Sequence, residues 1–165
     1  MTGNTMIKEW DKSNRQEVID LILSIQREEF NIAITAADQP DLHDVAAFYQ
    51  HGNGNFWIAV DDDRVTGTIA LMDVGNKQVA LRKMFVHPVY RGKEKAVAQQ
   101  LLDKVFGWCR LKQVENIYLG TIHIFKAAQR FYERNGFHQV TKQQLPTGFP
   151  VMAVDDVFYC YQFSR

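Results

Sequence analysis

Arg91, Lys93 and Lys95 lie directly ahead of a stretch in which Ala98, Leu101, Leu102, Val105 and Cys109 recur at spacings of three and four. That spacing is the apolar stripe of an amphipathic helix. A basic turn at a helix N-terminus is a ready anion site. The first backbone N–H groups lack intrahelical partners there, and the helix dipole adds partial positive charge. A pyrophosphate would meet both features; the plainer alternative is a set of solvated charges on a loop. Other chemistry-bearing residues are sparser. His43, His51, His87, His123 and His138 show no metal-ligand spacing, so no metal is expected. Cys109 and Cys160 make no disulfide framework and read as reduced thiols in a cytoplasmic protein.

Around this turn the chain alternates strand and helix patterns. Gln78 to Val86 reads as a strand that His87-Pro88 ends, because proline lacks an N–H and constrains the residue before it. Met6 to Trp10 forms a first short strand. Ser13 and Gln16 form a capping box for a helix over about Asn14 to Glu29, with Val18, Leu21, Ile22 and Ile25 as its apolar face. Pro40 suits the first turn of a second helix, with Asp41 and Asp44 at the favourable end of its dipole and Leu42, Val45, Ala46 and Tyr49 buried. Beyond the breaker cluster His51 to Asn55 come strands at Phe56–Val60 and Val65–Leu71, which with Gln78–Val86 make an antiparallel meander. A helix over about Glu94 to Leu111, a strand ending near Thr121 and a helix stopped by Asn135-Gly136 follow. Extended segments at Phe137–Thr141 and Val157–Phe163 finish the chain. The order β-α-α-β-β-β-α-β-α-β-β implies an α/β fold, a mixed sheet flanked by helices, with one domain over residues 5–165.

Bulk properties narrow the function classes. Of the 165 residues, 46% are apolar and 23% charged, ordinary for a globular domain. Lys+Arg and Asp+Glu both total 19, which argues against a broad nucleic-acid footprint. The longest apolar runs are far shorter than a membrane span, and the first residues show no secretory pattern.

The stretch Val86-His87-Pro88-Val89-Tyr90-Arg91-Gly92-Lys93-Glu94-Lys95-Ala96 resembles the acetyl-coenzyme A signature of the GCN5-related N-acetyltransferases. That family's turn reads Arg/Gln-x-x-Gly-x-Gly/Ala. Arg91 and Ala96 match it and Gly92 matches a common neighbour, whereas Glu94 stands where the first motif glycine belongs and brings a carboxylate near an anion. A second block, Phe125 to Phe137, resembles the family's Asn-x-x-Ala-x-x-x-Tyr-x-x-x-Gly-Phe helix. Ala128, Tyr132, Gly136 and Phe137 match in register, and Phe125 replaces the asparagine.

The resemblance implies the acyl-coenzyme A N-acyltransferase fold and acetyl-coenzyme A as co-substrate. It places backbone groups of Met84, Phe85 and Val86 along the pantetheine arm and those of Arg91, Gly92, Lys93, Glu94, Lys95 and Ala96 at the pyrophosphate, with Ala128 on the helix beside the donor. Lys93 or Lys95 would alternatively reach the 3′-phosphate. Tyr132 is implied as general acid toward the departing thiolate. The base is not identified: the glutamate some members carry on the central strand falls on Ala80 here, leaving His123, Glu28, Glu29 or water. Acceptor specificity is expected from Phe30–Gln39 and from Leu145–Asp156, where Asp155 and Asp156 would attract a cationic amine. The expected acceptor is a primary amine, a small molecule in preference to a protein. A non-catalytic acyl-coenzyme A binding or regulatory domain of the same fold is the alternative. A homodimer joined through the final strand stays open.

Overall fold

The computed structural model describes residues 5–92 and 96–164. Lys93, Glu94 and Lys95 of the basic turn therefore lie outside the described residues. Among the described residues seven strands form one sheet: β1 (Met6–Glu9), β2 (Asn55–Asp61), β3 (Arg64–Gly75), β4 (Gln78–Val86), β5 (Asn116–Thr121), β6 (His138–Val140) and β7 (Val157–Gln162). Their order across the sheet is β1-β2-β3-β4-β5-β7-β6. The expected meander is present, extended by β1: all pairings from β1 to β4 are antiparallel. β4 and β5 run parallel, and β5, β7 and β6 pair antiparallel.

Side chains alternate between the faces of a strand, and here that alternation builds two cores. Trp57, Ala59, Ile69, Leu71, Val79 and Leu81 point to one face, where α3 (Val97–Leu111) and α4 (Lys126–Arg134) cover them with Leu101, Leu102, Val105, Cys109 and Tyr132. Phe56, Ile58 and Ala70 point to the other. There α1 (Arg15–Ser24) supplies Val18, Ile19, Leu21 and Ile22, and α2 (Val45–Phe48) supplies Val45. Helices on both faces explain why β2 and the stretch of β3 from Val65 to Leu71 are buried on both faces, the Thr66 and Thr68 side chains included.

Local details differ from the sequence reading for identifiable reasons. The capping box that opens the first helical segment is formed by Asp11 and Asn14, not Ser13 and Gln16; Asp11 accepts from both the backbone and the hydroxyl of Ser13. The helix widens into a π-turn over Ile25–Glu29. The second helix is a 3₁₀ turn, Pro40–Leu42, followed by the single turn of α2, which Asp44 caps. Leu42, Val45 and Tyr49 are buried as expected, but Ala46 is exposed because so short a helix cannot keep a four-residue stripe against the sheet. Gly136, at φ 93°, ends α4 in the left-handed conformation that glycine adopts at least cost.

Candidate active site

β4 and β5 stay paired only from Gln78–Asn116 to Ala80–Tyr118. Beyond that point the strands separate, and β4 carries on through Val86 with β3 as its only strand neighbour among the described residues. The parting has a local cause. Between the pairs Ala70–Arg82 and Thr68–Phe85 the register shifts, so β4 places two residues, Lys83 and Met84, against Ile69 alone. This is a β-bulge, which bends its strand and increases its twist. Lys83 takes φ 53°, a conformation that costs a non-glycine residue on the order of 1–2 kcal/mol. Its surroundings hold it there: its carbonyl accepts from the Thr68 hydroxyl at 2.6 Å and its ammonium from the far end of the side chain donates to Gln39 Oε1 at 2.6 Å.

The gap opens into a cleft of about 710 Å³, inside the range of small-molecule sites. Met84, Phe85 and Val86 line one wall; Gly120, Thr121, Ala128 and Tyr132 line the other. Glu29 and Phe30, from the end of the π-turn, and Asp155, from the loop before β7, complete it. The half of β4 bordering the gap is an unpaired strand edge, and an extended ligand arm can hydrogen-bond to such an edge as another strand would.

Tyr132 projects from α4 into this cleft and is 8% exposed. Its hydroxyl lies 3.8 Å from Met84 Sδ, a weak acceptor. Burial pushes the phenol well above its ordinary pKa, so it carries its proton throughout the neutral range. Phe131, Phe137 and Tyr159 surround the ring at centroid distances of 5.8, 5.6 and 6.1 Å. Tyr132 is thus a protonated phenol, fixed by its aromatic neighbours, whose hydroxyl has a thioether as its hydrogen-bond partner.

At the mouth, the Arg91 guanidinium turns back rather than outward. Its Nε donates to the Val86 carbonyl at 2.9 Å, and Nη1 reaches both carboxylate oxygens of Glu29 at 2.8 and 2.7 Å. Two backbone N–H groups expected at the pyrophosphate are engaged locally: Arg91 donates to Pro88 O at 3.4 Å and Ala96 to Gly92 O at 3.0 Å. No side chain among the described residues caps α3, which starts at Val97 after a left-handed Ala96. Its N-terminal turn keeps the electropositive end of the helix dipole at the cleft mouth. Phe125, at the asparagine position of the motif, packs against Phe30 in a tilted arrangement with centroids 4.5 Å apart.

The base candidates separate in space. Glu29 lines the cleft but is paired with Arg91, while Glu28 accepts from the Ser24 hydroxyl on the exposed side of the π-turn. His123 lies outside the lining; its Nδ1 is 2.5 Å from Asp156 Oδ2, and this contact holds the Asp156 carboxyl below its ordinary range. Of the acidic pair, only Asp155 borders the cleft, and burial raises its pKa.

A buried polar cluster under β4 escaped the sequence reading. Asp41, in the first turn of the Pro40–Leu42 segment, is buried. It accepts from the Tyr49 hydroxyl at 2.5 Å and pairs with Lys83 Nζ at 3.5 Å. Gln39 joins Lys83 to Gln26, and Arg82 donates to the Tyr49 oxygen at 3.3 Å. Burial lowers the pKa of Lys83 and raises that of Tyr49. The adjacent cations Arg82 and Lys83, inside a run otherwise apolar from Val79 to Val86, are the signal that could have found it.

Comparison with known proteins agrees with this geometry. Residues 52–139 match the model of the acetyltransferase (GNAT) domain. The fold superimposes with TM-score 0.90 on a GNAT-family acetyltransferase from Staphylococcus aureus Mu50, 42% identical, over 96% of this chain and 98% of that one. An acetyltransferase from Streptococcus agalactiae 2603 gives the same TM-score and coverage at 30% identity. Among curated relatives, the N-acetylaspartate synthetase of Xenopus tropicalis is 30% identical over 138 residues, 80% of this chain and 49% of that protein. The chain spans about half the length of the curated relatives it matches. No helix among the described residues is long and apolar enough to cross a membrane. The split between β4 and β5, the tyrosine facing it and the domain match over the same residues identify the chain as a member of the GCN5-related N-acetyltransferase family of acetyl-coenzyme A dependent enzymes.

Proposed function

We propose that the cleft between β4 and β5 binds acetyl-coenzyme A, and that the chain transfers its acetyl group to a primary amine by direct attack, with Tyr132 as general acid. The observation carrying this reading is the convergence of an unpaired strand edge, an electropositive helix end and a buried, protonated phenol on one cleft. The pantetheine arm lies along Met84, Phe85 and Val86, with Ala128 behind it. The diphosphate sits at the turn Arg91, Gly92, Lys93, Glu94, Lys95 and Ala96 and the start of α3, and Arg91 exchanges part of its contact with Glu29 for the ligand.

Acetyl transfer makes three demands. Donor and amine must be held together, and fixed geometry can contribute on the order of 7–11 kcal/mol of the barrier. The cleft walls serve this need. The amine must be neutral, which calls for a base or a water relay, because an alkyl ammonium has a pKa of about 10.4. The thiolate must be protonated as it leaves. Tyr132 serves here: the tetrahedral adduct collapses, the C–S bond breaks, and the phenol proton passes to sulfur.

The acceptor is a small molecule rather than a protein. Phe30 and Phe125 narrow the approach, and several relatives carry the name N-acetylaspartate synthetase, a small-molecule product. The test is thiol release from acetyl-coenzyme A with purified protein and a panel of amines. Amine-dependent turnover is expected. Saturable donor binding without turnover on any amine would instead favour a non-catalytic acyl-coenzyme A binding domain.

A further inference from the structure

Two charged side chains of opposite sign border the cleft near the parting of β4 and β5, and among the described residues neither has an ion pair within 4 Å. Arg82 spends one arm on the Tyr49 oxygen at 3.3 Å and the other on Met152 Sδ at 3.5 Å. Both are neutral partners, and the second is a poor acceptor. Among the described residues Arg82 has no ion pair within 4 Å. Asp155 is half-buried and has no ion pair among the described residues; burial raises its pKa, and the Arg82 charge and the Met152 backbone offset this only in part. Its oxygen lies so close over β5 that a side chain at Gly120 would meet it at 2.6 Å.

The same turn anchors both groups. The Asp155 N–H donates to Met152 O at 3.1 Å, while the Met152 sulfur lies against Arg82. The two therefore sit side by side and feel each other's charge without touching. Leaving a cation and an anion partly desolvated and unpaired is costly, because each keeps a desolvation penalty that a direct contact would offset. A ligand carrying both charges removes that cost at two points. The buried cluster beneath supports the cation: Asp41 is committed to Tyr49 and Lys83, so it does not quench Arg82.

We propose that Arg82 and Asp155 select an acceptor with both an amine and a carboxylate, a free amino acid, its carboxylate on the Arg82 guanidinium and its ammonium at Asp155 over Gly120. This deepens the acetyl-transfer reading and rests on it. A guanidinium takes a carboxylate bidentately, with directional as well as charge selectivity. An amine held at Asp155 stands over Gly120 near the end of β5, on the wall that carries Tyr132 and facing Met84 across the gap, where the acetyl carbon would be presented once the amine has lost its proton.

The experiment compares thiol release from acetyl-coenzyme A with free amino acids, their methyl esters and the amines formed by removing the carboxylate. Wild type, Arg82→Gln, Arg82→Lys and Asp155→Asn are run, and acetyl-coenzyme A affinity is measured calorimetrically for each. At least one free amino acid is expected to exceed its ester in kcat/KM by at least about tenfold, the loss that follows from removing a charge-assisted hydrogen bond. Arg82→Gln abolishes that preference, Arg82→Lys keeps part of it, and donor affinity stays within a few fold. The wild-type ester comparison stands even if a variant folds poorly. Equal or better use of esters, carboxylate-free amines or peptide N-termini overturns the inference and leaves acetyl transfer intact. Donor binding with no free amino acid accepted also overturns it. Absence of acetyl-coenzyme A binding removes both readings together.

Discussion

Replacing Tyr132 by phenylalanine deletes one hydroxyl and keeps the ring. The hydroxyl's described partner is a thioether at 3.8 Å, so little hydrogen-bond energy is lost, and the three aromatic neighbours still pack the ring. The stability change should therefore stay within about 1 kcal/mol, the net worth of an ordinary hydrogen bond. The rate should respond quite differently. A positioned acid contributes about 10²–10⁴-fold. Burial raises the Tyr132 pKa, and a weaker acid transfers its proton less readily, so the loss should lie near the lower end, about 10²-fold. The acid also stays protonated across the assay range, so the ratio of wild-type to variant rates should be flat from about pH 6 to pH 9. Rapid-quench single-turnover kinetics with saturating donor isolates this step from product release. Equal single-turnover rates would refute the acid role, and a pH-dependent ratio would refute the claim that burial keeps the proton in place.

Other expectations follow from the site's surroundings. The Arg91–Glu29 pair joins one guanidinium nitrogen to both carboxylate oxygens and is partly solvated, with side-chain exposures of 41% and 28%; a double-mutant cycle in chemical denaturation should give a coupling under about 1 kcal/mol. A coupling of several kcal/mol would mean that the pair supports the fold rather than the cleft mouth. Asp41→Ala leaves Lys83 buried without its carboxylate and should destabilise the protein by about 3–5 kcal/mol in urea unfolding; a cost below 1 kcal/mol would show that the cluster is solvated. Burial pushes the Cys109 thiol up to about 12, against about 8.5 in an unfolded chain. Between those values the unfolded state loses a proton that the folded state keeps, so stability falls as pH rises above about 8.5, by about 1.4 kcal/mol per unit from this group. Cys109→Ala should flatten that slope in denaturation series at pH 8 to 10, and an unchanged slope would contradict the burial argument.

The central strand was legible to the residue: Gln78–Val86 is bounded by Asn76 and Lys77 in a turn and by His87-Pro88, and those signals are local. The α4 terminus at Gly136 was legible for the same reason. The bulge was not. Bulges with a left-handed residue usually advertise it with glycine, whereas here Lys83 takes that conformation and tertiary bonds to Thr68 and Gln39 hold it. Once the alternation breaks, Arg82 and Lys83 both reach the Tyr49–Asp41 pair, an arrangement that strict period-two reading forbids. Asp41 was legible as a first-turn acid but not as a buried one, because an acid in the first turn of a helix has the same sequence signature whether water or a lysine partners it. The Glu29–Arg91 contact joins residues 62 apart, and only the fold brings them together.

The account's central claim is that the donor lies in the split between β4 and β5. Calorimetric titration with acetyl-coenzyme A of wild type and of Ala128→Trp, which fills the cleft from the α4 wall, tests it most directly. Saturable one-to-one binding in the micromolar range, lost in the variant while its thermal unfolding stays cooperative, is the predicted result. Binding that survives the substitution unchanged, or no heat up to millimolar donor with wild type, would contradict it.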